Sequence, residues 1–407
     1  MDIIKEKDNL KDLFFGLNQD EIFLDNAAST PPFKKVMNEV IEFLSNYGSI
    51  HRGFGNRSDI STSKYEEARE KIKKLMKSGS THDLFFISNT TEGINRISLM
   101  LLEEKENTGR DIIVVSEIEH SANLLPYTPY FNIKTIKTTE NFDIDLSDLD
   151  NFLKKYSKRI LAVSFAGSSN VTGKTINIQK IYKMIKNYDE NIYFMIDASQ
   201  YAPHFSINAE DADIWVFSGH KTYAPFGIGG ILANKRLLKN MKYSFKGGGD
   251  VEYIYPDNTS EYKYIPYNQE IGTPNGVGAI AMAKAFEILY EDICFDNIHK
   301  HEKEVSDKLI AVLLKYNCIN VLLKSIPIIM VDIEKNDTEK FFIDNKINAR
   351  MGHFCVFRFI EKLKGFKPFE KNQKIDLSNY MTIRLSIGLP TTIEQINRLD
   401  MVLSTWS

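Results

Sequence analysis

The sequence predicts an α/β fold in which a large, mostly parallel sheet is flanked by helices on both faces. Between residues 20 and 275, short apolar segments alternate with amphipathic ones, as in chains that build a parallel sheet. The short segments are apolar at nearly every position, which is typical of strands buried on both faces. Several of them end in polar side chains with glycine or proline close behind, and buried strands present functional groups in this way.

Six segments are predicted strands of this sheet: residues 83–88, 111–116, 159–165, 192–196, 213–217 and 227–232. Amphipathic helices are predicted between them. Ser63 and Glu66 have the spacing of a capping box, which predicts that a helix begins there. Asn177 can cap another helix, whose isoleucines recur at the spacing of a single helical face.

The pattern changes after residue 275. A long helix from about 279 to 291 leads into a second amphipathic helix, and then come a strand at 328–333, a helix near 338–345, a strand at 381–387 and a terminal helix after Thr391. Helices and strands segregated in this way indicate a smaller α+β domain. The predicted organisation is an N-terminal segment (1–20) that packs with the small domain, a large domain (21–275) and a small C-terminal domain (276–407).

Composition excludes several classes of function. Among 407 residues, 51 basic and 54 acidic side chains nearly cancel, so no bulk charge points to nucleic acid or a membrane surface. No apolar run approaches the roughly 20 residues of a membrane span, and the first residues lack a signal-peptide pattern. Three cysteines without paired spacing argue against a disulfide framework, and His299 and His301 lack a third metal ligand. We expect a soluble cytoplasmic protein without a metal.

Polar clusters follow the predicted strands. Residues 88–93 open a helix, where amides and hydroxyls suit a phosphate, although an ordinary helix cap has the same pattern. Residues 119–123 include a histidine with two possible roles: it stacks on the ring of a ligand, or it is a structural residue without a ligand. Residues 168–173 include an asparagine that donates to a ligand or shapes a turn.

The most informative pair is Asp197, which ends one predicted strand, and Lys221, which follows Ser218 and His220 after the next. A pyridoxal-phosphate (PLP) enzyme needs a lysine for a Schiff base and an acid for the pyridine nitrogen. The alternative is a surface lysine on a turn, which an isolated S-x-H-K pattern usually marks.

In this order and at these spacings, the clusters resemble the class V aminotransferases, a family of fold-type I PLP-dependent enzymes, and are most similar to the SUF-type cysteine desulfurases and selenocysteine lyases. The matching segments run through nearly the whole chain: residues 24–29, 51–53, 88–93, 119–123, 168–173, 196–204, 216–230, 247–249, 272–275, 352–355 and 384–386. The resemblance implies a fold-type I PLP-transferase with a large PLP-binding domain.

The resemblance also implies roles for individual residues. Lys221 would form the Schiff base, Asp197 would pair with the pyridine nitrogen, Gln200 would bond the phenolic oxygen, and His120 would lie over the ring. The phosphate would be held by Thr90, Thr91, Ser218, His220 and, from the neighbouring subunit of a homodimer, Thr273. The substrate would be bound by Asn170, Arg384, Arg350 and Ala28.

Arg384 lies in a predicted strand in which apolar residues alternate with polar ones, and this alternation places it on the polar face. It is either an exposed strand arginine or, as the resemblance implies, the planar fork that binds the substrate α-carboxylate.

Cys355 decides which reaction is expected. The resemblance makes it the cysteine that takes sulfur from L-cysteine as a persulfide and leaves L-alanine, for transfer to an acceptor protein. His353 and Arg350 lie nearby in sequence and favour the thiolate. The alternative is a buried, inert cysteine, which is the role expected for Cys294 and Cys318.

The sequence departs from the family pattern at two positions. Phe354 stands where a second histidine usually precedes the cysteine, and Gly167 stands where a histidine tends to precede the substrate-side asparagine. Two alternatives follow. One is another class V PLP enzyme (lyase, aminotransferase or epimerase) in which Cys355 is not catalytic, and the other is a scaffold without cofactor.

Overall fold

The described part of the chain is built on a large and a smaller β-sheet with the helices that cover them, and it also contains two two-stranded sheets. The computed structural model describes residues 13–18, 20–240, 245–335 and 337–406. The α-helices are α1 (Lys34–Asn46), α2 (Asn56–Leu75), α3 (Thr90–Thr108), α4 (Leu146–Tyr156), α5 (Ile178–Tyr188), α6 (Lys235–Asn240), α7 (Gly276–Glu287), α8 (Phe295–Leu313), α9 (Thr338–Asp344), α10 (Phe357–Lys364) and α11 (Ile393–Trp406). A π-helical segment, Ile288–Ile293, joins α7 to α8.

The strands are β1 (Ile22–Phe23), β2 (His82–Ile87), β3 (Ile112–Ser116), β4 (Asn132–Ile136), β5 (Ile160–Ala166), β6 (Tyr193–Asp197), β7 (Ile214–Ser218), β8 (Gly229–Asn234), β9 (Val251–Ile254), β10 (Ser260–Tyr262), β11 (Ile319–Lys324), β12 (Ile328–Ile333), β13 (Ile347–Asn348), β14 (Arg350–Gly352) and β15 (Thr382–Ser386).

The large sheet has seven strands in the order β2-β8-β7-β6-β5-β3-β4. Neighbours from β7 to β4 run parallel, whereas β8 runs antiparallel to both β7 and β2. All six predicted strands are present, which confirms the predicted α/β sheet. Strand β4 was not predicted, because this edge strand keeps most of its side chains exposed and lacks the continuous apolar run of the others.

Both faces of the large sheet are buried. Along β7, Trp215 and Phe217 enter the core beneath α1, α2 and α7, while Ile214 and Val216 enter the core beneath α3. Gly93 lets α3 approach the sheet closely, since a Cβ there would lie 2.5 Å from Ile87 Cδ1 and 2.6 Å from Val216 Cγ1. The first turn of α3 is thereby held against the strand ends.

The smaller sheet is antiparallel, in the order β11-β12-β15-β14. Along β12, Ile329 and Val331 face the core formed with α8 and α11, while Ile328 and Met330 face the core formed with α10. This is the smaller α+β unit that the sequence predicts. Strand β15, which carries Arg384, lies beside the carboxyl edge of the large sheet. The hydrogen bond from Arg384 to the Asn170 carbonyl shows this placement.

The first described residues contact both units. Phe14 packs on Phe33 and Tyr223 in the core of the large sheet, with ring centroids 5.1 and 5.7 Å away. Further along, β1 pairs with β13, and Ile22 and Leu24 lie in the core of the smaller sheet. So the described residues before 20 pack with the large sheet, and those just after 21 pack with the small one. The division at residues 20 and 275 stays a prediction.

The structure settles two predicted helix starts. Asn177 caps α5, its side chain accepting from the amide of Lys180 at 3.0 Å, as predicted. The predicted capping box is wrong: α2 begins at Asn56, so Ser63 lies exposed inside the helix. Within the described ranges, no helix has both the length and the apolar character that crossing a membrane requires.

Candidate active site

A cavity of about 670 Å³ opens at the carboxyl ends of β5, β6 and β7. Asp197 is the last residue of β6 and Ser218 the last of β7, and the ends of neighbouring parallel strands meet at one edge of a sheet. The cavity brings together nine of the predicted site residues: Thr90, Thr91, His120, Asn170, Asp197, Gln200, Ser218, His220 and Lys221.

Lys221 ends the 3-10 turn Gly219–Lys221 that follows β7, and it lines the cavity. Burial lowers the pKa of its amine to about 8; the Asp197 charge opposes this shift, and the positive charges of Arg384 and Arg350 add to it. The electrostatic interaction with Cys355 opposes the lowering of this pKa, as the Asp197 charge does. An amine with a pKa near 8 is neutral, and so nucleophilic, in a much larger fraction than an exposed lysine.

A chain of hydroxyl groups lies at the N-terminus of α3. The Thr90 amide donates to Ser218 Oγ at 2.8 Å, the two side-chain oxygens are 2.8 Å apart, and the Ser199 hydroxyl donates to Thr90 Oγ1 at 2.8 Å. The helix begins as predicted, with Asn89 as its cap. Hydroxyls and free amides at the start of a long helix favour an anion.

Asp197 stands on the same side of the cavity as these hydroxyls. It is buried, and its Oδ1 accepts the Ser199 amide at 2.9 Å. Gln200 is buried nearby and donates to the Ala27 carbonyl at 2.5 Å, which ties the N-terminal segment to the cavity wall. Ala28 is the next residue along that segment and lies outside the cavity lining.

Two imidazoles line the cavity. Burial lowers the pKa of His120, whose Nδ1 accepts the Ala122 amide at 3.1 Å. Burial also lowers the pKa of His220 to about 4, and its ring stacks on Phe226 with centroids 5.4 Å apart. Both imidazoles are therefore neutral at neutral pH.

Glu119 is a buried carboxyl group behind the cavity to which the sequence analysis assigned no role. It accepts from the Ser116 hydroxyl at 2.5 Å, from Asn123 Nδ2 at 2.8 Å and from the Ala166 amide at 2.9 Å. Burial, with a further contribution from the Asp197 charge, raises its pKa to about 7. The sequence signal that could have identified Glu119 is its position between the apolar Ile118 and the predicted site residue His120.

Arg384 is buried in β15, so the alternative of an exposed strand arginine is excluded. Its Nη1 donates to the Asn170 carbonyl at 3.0 Å and its Nη2 to Asp25 Oδ1 at 3.2 Å. Within the described residues its buried Nε has no hydrogen-bond partner. A carboxylate fits that free edge of the guanidinium. Arg350 lies opposite Arg384 in the sheet and is exposed.

Cys355 lies on a turn between β14 and α10 and is partly buried. Its amide donates to His353 Nδ1 at 3.2 Å. The other two cysteines are not the buried residues we expected, since Cys294 is exposed and Cys318 is partly exposed.

Some predicted residues lie apart from the cavity. Thr273 and Arg350 are exposed and Ala28 is partly buried. All three are outside the cavity lining, as are Arg384 and Cys355. His301, for which the sequence offers no set of metal ligands, is buried. The described part of the chain contains no group of three or more His, Cys, Asp or Glu side chains placed to hold a metal.

The fold and the cavity define a class of protein: a two-sheet α/β enzyme scaffold with a buried amine at the carboxyl edge of its large sheet. The aminotransferase class-V family model matches residues 22–399, and the chain belongs to this family.

A curated relative named cysteine desulfurase, from Wigglesworthia glossinidia brevipalpis, is 33% identical over 323 residues, which are 77% of this chain and 75% of the relative. The fold is similar to the apo structure of a cysteine desulfurase from Thermococcus onnurineus NA1, with a TM-score of 0.86 and 24% identity over 98% of this chain and 97% of that one. A cysteine desulfurase from Escherichia coli gives a TM-score of 0.82 at 23% identity, again over 98% and 97% of the two chains.

Proposed function

We propose that this protein is a PLP-dependent cysteine desulfurase that moves sulfur from L-cysteine to Cys355. The products are L-alanine and a persulfide: L-cysteine and the Cys355 thiol give L-alanine and Cys355–S–SH. The observation that carries the proposal is the buried Lys221 amine. Burial lowers its pKa to about 8, Asp197 and Cys355 oppose this shift, and Arg384 adds to it. The names of the relatives support the same activity.

The residues present fit PLP. A buried amine with a lowered pKa, a buried carboxylate and hydroxyls at a helix N-terminus surround one cavity, and these groups match an aldehyde, a pyridine nitrogen and a phosphate. PLP, when bound, supplies the aldehyde and an electron-withdrawing ring. We assign its binding to Lys221, Asp197, Gln200, His120, Thr90, Thr91, Ser218 and His220.

The substrate side of the proposal rests on Arg384 and Asn170. The unpartnered Nε of Arg384 offers a donor for the substrate α-carboxylate, and the adjacent Nη2 is the second donor of a bidentate contact. Asn170 lines the cavity and its carbonyl accepts from Arg384. Arg350, which pairs with Arg384 in the sheet, and Ala28 are further candidates. The Lys221 amine, with its pKa of about 8, both accepts and returns a proton near neutral pH.

Sulfur transfer is assigned to Cys355. Its thiolate attacks the substrate sulfur; an S–S bond forms, the substrate C–S bond breaks, and the electron pair stays with the carbon, which takes up a proton and leaves as alanine. A second thiol, on an acceptor protein or a reductant, then removes the sulfur from the persulfide.

A homodimer forms part of the proposal, with Thr273 completing the phosphate site of the neighbouring subunit. Phe226, at the cavity mouth, is 76% exposed, Tyr264 is 71% exposed and Phe54 is fully exposed. Large exposed aromatic side chains mark surfaces that another chain covers. A cytoplasmic location stays a prediction.

The test uses the holoenzyme with L-cysteine and dithiothreitol. We expect sulfide and alanine in equal amounts, and no sulfide from Cys355→Ala, which retains the visible absorbance of bound PLP. Cys294→Ala, at an exposed cysteine, is the matched control and keeps full activity. Sulfide release from Cys355→Ala at the unchanged rate would refute the role of Cys355.

Gly167 favours a second candidate, another class V PLP reaction on an amino acid in which Cys355 is not catalytic. This glycine offers no side chain where the family tends to have a histidine. Consumption of an amino acid by Cys355→Ala at the rate of the unaltered protein, without sulfide, would support this candidate.

A further inference from the structure

The turn that carries Cys355 has an unfavourable backbone conformation. Phe354 has φ of 52° and Cys355 has φ of 57°, so two consecutive residues with side chains lie in the left-handed region. This region is strained for all residues but glycine, and two such residues in succession persist only where the surroundings hold them.

Hydrogen bonds to two consecutive carbonyl groups of this turn, those of Phe354 and Cys355, hold it in place. Asn170 Nδ2 donates to the Phe354 carbonyl at 3.0 Å. Ser121 donates twice to the Cys355 carbonyl, from its amide at 3.0 Å and from its hydroxyl at 2.8 Å. The His353 ring also stacks on Phe357, with centroids 3.9 Å apart, which fixes the start of α10.

The groups that hold the turn belong to the walls of the cavity. Ser121 directly follows His120, and Asn170 and His120 both line the cavity. The Phe354 ring is buried and lies 5.0 Å from the Arg384 guanidinium. The thiol-bearing turn is therefore fastened to the same short segments that present His120 and Asn170.

We propose that Ser121 is a positioning residue for sulfur transfer, because its amide and hydroxyl hold the Cys355 carbonyl and so restrain the turn that carries the thiol. The proposal rests on the proposed function, in which Cys355 receives the sulfur. Ser121 is not among the residues that line the cavity, and in this proposal it acts only through the turn. Of its two donors, only the hydroxyl depends on the side chain, so substitution removes one bond and leaves the other.

The test compares Ser121→Ala with Ser121→Thr, which keeps the hydroxyl. In the full-length holoenzyme without substrate, iodoacetamide should alkylate Cys355 about fivefold faster in Ser121→Ala, since one net hydrogen bond restrains the turn. Turnover of L-cysteine should show kcat about fivefold lower with KM unchanged, because substrate binding does not involve Ser121. Ser121→Thr should restore both values, and exposed Cys294 should be alkylated at the same rate throughout.

Unchanged alkylation and unchanged kcat in Ser121→Ala would overturn the proposal, and so would a rise in KM alone or a failure of Ser121→Thr to restore the values. The alkylation rate of Cys355 measures how firmly the turn is held, and this measurement does not depend on catalysis. Failure of the proposed function appears elsewhere, as sulfide release that persists in Cys355→Ala, so the two failures are distinguishable.

Discussion

Replacing Glu119 by glutamine should change how stability depends on pH. Burial raises the pKa of Glu119 from its ordinary 4.5 to about 7 in the folded protein. Between these two values, the unfolded chain has released its proton while the folded chain still holds it. The folded state is therefore fully favoured below pH 4.5 and loses this stability as the pH rises through 7. Glutamine, neutral throughout, has no such loss.

The magnitude follows from the shift. Raising a pKa from 4.5 to about 7 corresponds to about 3 kcal/mol of unfolding free energy lost above pH 7. Glutamine fits the site: its carbonyl accepts from Asn123 and the Ala166 amide, and its amide nitrogen donates to the Ser116 hydroxyl, which turns to accept. Relative to the unaltered protein, Glu119→Gln should therefore gain about 3 kcal/mol across this pH window.

The assay is urea unfolding of the protein without added PLP, at steps from pH 4.5 to 8.5. Glu117→Gln is the matched control two residues away. Burial alone would raise the pKa of Glu117, but hydrogen bonds from Lys362 and Thr138 hold it below its ordinary value, so this variant should lose stability at high pH. Parallel stability curves for Glu119→Gln and the unaltered protein would show that the Glu119 proton does not contribute.

Three further predictions concern the site and the core. Arg384→Lys should raise KM for L-cysteine about 30-fold with a smaller effect on kcat, because a lysine cannot replace the buried bidentate donor; Lys364→Arg is the control. Carbamoylation of Lys221 by cyanate in protein without PLP, followed by peptide mass spectrometry, should rise with a midpoint near pH 8, and a midpoint above 10 would contradict the burial argument. Gly93→Ala should lower the unfolding free energy in urea by about 2 kcal/mol, since its Cβ meets Ile87 and Val216, whereas Gly248→Ala, with open space around it, should not.

The large sheet was predictable because its strands are apolar at successive positions, and the same reasoning explains what was missed. Strand β4 lies at the sheet edge with exposed side chains, so its sequence carries only a weak signal. The start of α2 was misplaced because Ser63 and Glu66 match a capping box that the helix does not use. A capping-box motif shows only that a helix can begin at that position. Packing in the folded chain determines where the helix begins.

The candidate site was predictable where its residues are neighbours of strand ends, as Asp197 and Ser218 are. It was not predictable where contacts join distant parts of the chain. The hydroxyl of Ser121 meets the carbonyl of Cys355 across 234 positions, and neither residue type signals the contact. The carboxyl of Glu119 gains its high pKa mainly from burial, with a further contribution from the Asp197 charge, and both exist only in the folded chain.

At the two positions that depart from the family pattern, Gly167 and Phe354, neighbouring side chains pack where the family has histidines. This packing determines which titratable groups remain for proton transfer. A Cβ at Gly167 would lie 3.0 Å from Ile196 Cγ2 and 3.1 Å from Tyr201 Cβ, so an imidazole there requires Tyr201 to move. The ring of Phe354 packs near Arg384 instead of offering a second imidazole. Among the described residues, the titratable side chains lining the cavity are Asp197, Lys221 and two histidines. Because burial lowers the pKa of both imidazoles, proton transfer near neutral pH falls to Lys221, whose pKa is about 8.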